Sequence, residues 1–179
     1  MEDKTKRLKR FQNGPPIEIM ETLLNSLANY FNREIDQAAD SKLWTLVILG
    51  VHAVALTIME GIFDKKGLTG FTFFLKSFID STDDGCDFST IAADIHQHRN
   101  VIAHQWLSVS GYHLGYDFEM MKGWDKRGDT IFFNPIKYCE LYKKAFSAGS
   151  KMWQYAKLLS ENDAEDSKKR LIERYEKFK

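Results

Sequence analysis

Covalent and metal staples are scarce in this chain. Two cysteines, Cys86 and Cys139, occur in 179 residues, both in uncharged, apolar stretches. They read as ordinary reduced thiols, not as a disulfide framework or a metal site. Excess charge is missing too: 25 lysines and arginines balance 25 aspartates and glutamates. No global basic field therefore announces nucleic acid, and any RNA site has to be a local patch. The sequence has no phosphate-loop pattern, dinucleotide fingerprint or zinc-spaced Cys/His set, so no cofactor and no metal is expected. Internal repeats and low-complexity segments are lacking as well. The opening residues, MEDKTKRLKR, are charged and contain no apolar signal core, which points to a cytoplasmic protein.

Apolar and aromatic residues make up 44% and 13% of the chain, too much for disorder and enough for one domain with a real core. Leu43 to Met59 carries no formal charge but sits at the lower length limit for a membrane span and includes Thr45, His52 and Thr57. It reads as a central helix buried on most sides, with no membrane partner.

Residues 1–16 read as a basic flexible arm, with contact to phosphates as the sharper alternative. Residues 17–160 hold the helical domain. Met20, Leu23, Leu24, Leu27, Phe31 and Ile35 have helical spacing over residues 17–38. A second helix spans residues 42–63 and a shorter one residues 70–79. After Trp106 the texture changes to glycines and aromatics. Tyr116 to Met120 alternates at period two, Asp125-Lys126-Arg127-Gly128 is a turn signal, and Thr130 to Phe133 reads as the returning strand of a β-hairpin. Asn134-Pro135 then caps and opens a helix that runs to about Leu159. Residues 161–179 are highly charged with a thin apolar stripe, a docked helix or a tail. The fold class is mainly α: a bundle of four to five helices with a small β-hairpin before the last core helix.

The stretch with most chemistry is Asp87 to Trp106, DFSTIAADIHQHRNVIAHQW. Asp87 is a good N-cap, and Phe88, Ile91, Ala92, Ile95, Ile102 and Trp106 form one apolar stripe. At about 100° per residue, Arg99 lands within roughly 40° of Ile95, at the stripe's edge. His104 lands on the opposite side, with Asn100 about 40° from it. His96 and His98 form an H-x-H pair, but i and i+2 side chains diverge by about 200° on a helix and cannot easily share an ion. His98 reads as a core-edge residue within reach of Asp94. His52 and His113 stand alone.

Arg99-Asn100-Val101-Ile102-Ala103-His104 resembles the R-N-x-x-x-H signature of the HEPN superfamily (higher eukaryotes and prokaryotes nucleotide-binding domains). The resemblance implies a short helical bundle with the motif late in it. It also implies a site shared across a homodimer and metal-independent endoribonuclease activity in toxin–antitoxin or anti-phage defence, with RNA as substrate and an antitoxin as a possible partner. Under it His104 is the acid or base, Arg99 the phosphate clamp and Asn100 the positioning group. The chemistry is coherent: RNA supplies its own 2′-hydroxyl nucleophile, histidine titrates near neutrality, and arginine grips phosphate oxygens bidentately. His98, Tyr112 and Tyr116 are further candidates for RNA contact, the tyrosines by stacking on bases. Two rivals stand beside this reading. One is a catalytically silent module of the same kind that binds nucleic acid, nucleotide or a partner protein. The other is an unrelated helical scaffold in which Arg99 and His104 are structural.

Overall fold

The computed structural model describes residues 3–82, 86–105, 114–147 and 149–177. Its first helix, α1 (Lys4–Asn13), occupies the stretch that the sequence reading gives to a flexible basic arm. The Asp3 carboxylate accepts from the Thr5 N–H and caps the helix. Phe11 is buried, edge-on to Tyr175 with ring centroids 6.1 Å apart. An ion pair of Arg10 with Glu18 at 2.7 Å, and Lys4 over the Tyr175 ring, help to dock this otherwise charged segment.

Pro15 and Pro16 open α2 (Pro16–Tyr30), which continues through a π-helical turn, Phe31–Ile35, into α3 (Asp36–Asp40). The expected helix over residues 17–38 is thus one rod with a widened turn that buries both Phe31 and Ile35. Helix α4 (Trp44–Gly61) lies at the centre and touches α3 and most of the later helices. By length and composition it is apolar enough to cross a membrane, but half of it is buried inside the fold. Val47, Ile48, Val51, His52 and Ile58 are fully enclosed. Next, α5 (Gly67–Phe74) runs into a second π-helical turn, Leu75–Ile79; Phe74 of α5 meets Tyr142 and Phe78 of the turn meets Tyr155.

The motif helix begins differently from its sequence. A 3-10 turn, Phe88–Ile91, leads into α6 (Ala92–Gln105). The backbone N–H groups of Phe88 and Ser89 go to the carboxylate of Asp80, at 2.8 and 3.0 Å. Asp87, the expected N-cap, instead accepts from the hydroxyls of Ser89 and Thr90. The cap is therefore supplied from the end of the previous element, which local sequence does not reveal.

The β region is a three-stranded sheet, not a simple hairpin. Strands β1 (Leu114–Tyr116), β2 (Trp124–Arg127) and β3 (Thr130–Phe133) lie in the order β1-β3-β2. β3 is the expected returning strand, but its antiparallel partner is β2, and β1 pairs with it in parallel. The reversal is made at Gly128, whose φ of 62° suits the first position of a two-residue hairpin turn. That places Asp125 to Arg127 in a strand and leaves residues 117–120 outside strands. The sheet packs on the bundle: Phe133 is fully buried, and Trp124 Nε1 donates to the Asp87 carbonyl at 2.8 Å.

Asn134 and Pro135 open α7 (Pro135–Phe146) as their sequence suggests, with the Asn134 side chain accepting from the Ile136 and Lys137 N–H groups. A break near Ser147 to Ser150 separates α7 from α8 (Lys151–Lys157), where a single helix was expected. The charged end is helix α9 (Glu161–Lys177), docked on α1, α2 and α4. Its Arg170 donates to the carbonyls of Gly61 and Ile62, and Arg174 meets Glu60 at 2.6 Å.

Candidate functional site

Helix α6 packs on α4 and α5 through Ala92, Ile95 and Ile102. That buried stripe leaves two polar flanks, one on each side of the helix. Arg99 and Asn100 lie on the first flank, both half-buried. Arg99 Nη1 donates to Asn100 Oδ1 at 2.8 Å, a bond between chain neighbours that orients both groups. Among the described residues Arg99 has no carboxylate partner, and its Nε is buried with no acceptor. A buried donor left unpaired costs about 1–3 kcal/mol. Such a cost is tolerated where the group awaits an acceptor from outside the chain.

The same flank holds a pair that the sequence does not announce. His52, fully buried on α4, places Nε2 2.9 Å from Nδ1 of His96 on α6. The His52 ring also lies against Phe71, with centroids 4.3 Å apart. Burial, then the His96 ring and the Arg99 charge, push the His52 pKa down to about 3. His96 is lowered in the same way, by burial first and Arg99 second. Both imidazoles are thus held neutral beside a fixed cation. His96 precedes Arg99 by three residues and Asn100 by four, so the three share one helix face. That spacing was the available signal for His96. His52 had none, since its partner lies 44 residues away.

The second flank carries His98. Its Nε2 lies 3.2 Å from the hydroxyl of Tyr116 on β1, and the Tyr116 hydroxyl also bonds Thr45. Burial lowers the His98 pKa and pushes Tyr116 up to about 12. The pair borders a cleft of about 610 Å³ lined by Trp44, Val101, Ile102 and Leu114. His98 and Tyr116, two of the expected RNA contacts, therefore do meet, but about 160° around α6 from Asn100. The divergence of His96 and His98 follows the helical expectation: each bonds a different element. Among the described residues, no group of three or more His, Cys, Asp or Glu side chains is arranged to hold a metal ion.

His104 is described through its backbone, which continues α6 for one turn beyond Asn100. Tyr112, Trp106 and His113 lie outside the described residues.

Fold and site together define a mainly α-helical domain in which α6 presents hydrogen-bond donors, Arg99 chief among them, with no paired carboxylate among the described residues. No family model, curated protein or solved structure matches the chain.

Proposed function

We propose that the chain is a metal-independent endoribonuclease of the HEPN type, working in toxin–antitoxin or anti-phage defence. The observation that carries this reading is the state of Arg99: held by Asn100, unpaired with any carboxylate among the described residues, and short of one acceptor. A phosphate oxygen is the acceptor that an arginine fork matches best. In the proposed reaction the RNA 2′-oxygen attacks the adjacent phosphorus and the 5′-oxygen leaves. The 2′-hydroxyl gives up its proton and the leaving oxygen gains one. His104, one turn beyond Asn100, is assigned these transfers, and Arg99 stabilises the charge that builds on the phosphorus oxygens. Two copies of α6 would face one another across a shared cleft in a homodimer.

The test is incubation of purified protein with single-stranded RNA in EDTA. The expected products carry a 2′,3′-cyclic phosphate and a 5′-hydroxyl, with DNA left intact for want of the nucleophile. Light scattering should give a dimer in the same buffer. Cleavage that depends on added Mg²⁺, or a strict monomer, would sink the proposal.

Zero net charge favours a second reading, a silent module that grips a phosphate or a partner without cutting. RNA binding with no cleavage under these conditions would select it.

A further inference from the structure

The geometry points to His96 as a fourth member of the phosphate-binding face: His52 fixes it as a neutral Nε2–H donor that grips a phosphate oxygen alongside Arg99 and Asn100. This rests on the reading of Arg99 as the phosphate clamp.

The argument begins with a proton count. Two neutral imidazoles share one hydrogen bond, so each ring has one N–H and one bare nitrogen. The bond joins His52 Nε2 to His96 Nδ1, and one of these two atoms must carry the proton. His52 Nδ1 is buried with no partner among the described residues. If the His52 proton sat there, a buried N–H would be orphaned, and orphaned buried donors are rare. A bare lone pair at that position costs less than an orphaned N–H. The proton of His52 therefore belongs on Nε2, where it is donated to His96 Nδ1. His96 must then carry its own proton on Nε2.

The consequence is a ring with fixed polarity. His52 is fully enclosed and backed by Phe71, while His96 is half-exposed on the face of Arg99 and Asn100. Asn100 Oδ1 is occupied by Arg99, which leaves its amide N–H₂ free to donate. Arg99, Asn100 and His96 then offer several donors against the one remaining lone pair of Asn100 Oδ1, and an anion is the ligand class that such an excess of donors selects. Among the described residues, Arg99 is the charged group acting on both histidines. Protonating His96 as well would place a second cation beside the guanidinium and push the His52 proton to its orphaned nitrogen. His96 is thus a binding donor and leaves proton transfer to His104.

The measurement needs no mutation in its first arm. Long-range ¹H–¹⁵N spectra of the histidine rings at neutral pH should show His96 protonated at Nε2 and His52 at Nε2. Adding a short 2′-O-methyl oligoribonucleotide, which cannot be cut, should shift the His96 Nε2 resonance. A proton on His96 Nδ1, or an unmoved resonance with the oligonucleotide bound, overturns the inference alone. In the second arm, His96→Phe should weaken binding of that oligonucleotide about tenfold, the loss of one hydrogen bond to a charged group. His96→Gln, which keeps an N–H at similar reach, should stay close to wild type. His96→Phe binding like wild type while Arg99→Ala is weakened removes His96 only. Arg99→Ala binding like wild type, or wild type not binding at all, removes the clamp reading together with this one.

Discussion

The two flanks of α6 treat the same side chain in opposite ways. His98 and Tyr116 satisfy one another over an apolar cleft, with Thr45 adding a bond to the hydroxyl. His96, Arg99 and Asn100 are also joined to neighbours, yet the cluster is left with a buried arginine donor and a buried imidazole nitrogen that have no partner among the described residues. On the proposed reading, the open positions on that flank are the ones a ligand completes. Residue type alone would have ranked the flanks equally, since each offers a histidine. The difference lies in what remains unbonded.

The largest effect that should separate the flanks is catalytic. His104→Ala should lower the RNA cleavage rate by about 10²–10⁴ by removing proton transfer. Arg99→Lys should lower it by about 10², because lysine keeps the charge and loses the planar fork. His98→Gln should leave the rate near wild type. Single-turnover cleavage of one labelled RNA checks all three, and a His98 variant as damaged as the His104 variant would merge the two flanks into one site.

Next comes the dependence of stability on pH. The His52 pKa is about 3 in the folded chain and near 6.5 when unfolded, so the unfolded chain takes up a proton first as pH falls. The stability tied to its neutrality is complete above pH 6.5 and is lost progressively between 6.5 and 3, at up to ~1.4 kcal/mol per pH unit. His96 and His98, also lowered, act in the same direction. Urea titrations at several pH values should show this slope, and His52→Phe should flatten it by about one proton. An unchanged slope in that variant would mean that His52 is not the buried neutral group.

The smallest effect belongs to the satisfied flank. Tyr116→Phe removes a hydroxyl that bonds His98 and Thr45 and should cost about 1 kcal/mol. Its ring contact with Phe133 should survive, so the urea midpoint should fall slightly with no change in the steepness of unfolding.

Much of the helical fold was legible because apolar spacing decides it. The stripes of α2, α4, α5 and α6, and the Asn-Pro start of α7, all correspond to elements in the structure. What escaped depends on partners distant in sequence. Helix α1 is mostly charged and is held by Phe11 against Tyr175 of α9. The start of α6 is capped by Asp80 rather than its neighbour Asp87. In the sheet, the charged run Asp125-Lys126-Arg127 looked like a turn, but Gly128, with its positive φ, and Asp129 make the reversal two residues later. At the candidate site, the adjacency of Arg99 and Asn100 could be read directly, whereas His96 was passed over in favour of His98, although its i, i+3 spacing to Arg99 was there to use. His52 could not, since it acquires meaning only when α4 is laid against α6.

Helix α9 also bears on the order in which the protein is made. Ser167, Arg170 and Arg174 close the carboxyl end of α4 from 106 to 114 residues further along the chain. During synthesis, α4 and α6 leave the ribosome well before the segment that secures α4. Until α9 arrives, the Gly61 and Ile62 carbonyls lack the arginine that they later share. The donor face between α4 and α6 is therefore set late, and a nascent chain halted before residue 161 would carry the motif without the clamp that steadies its neighbour.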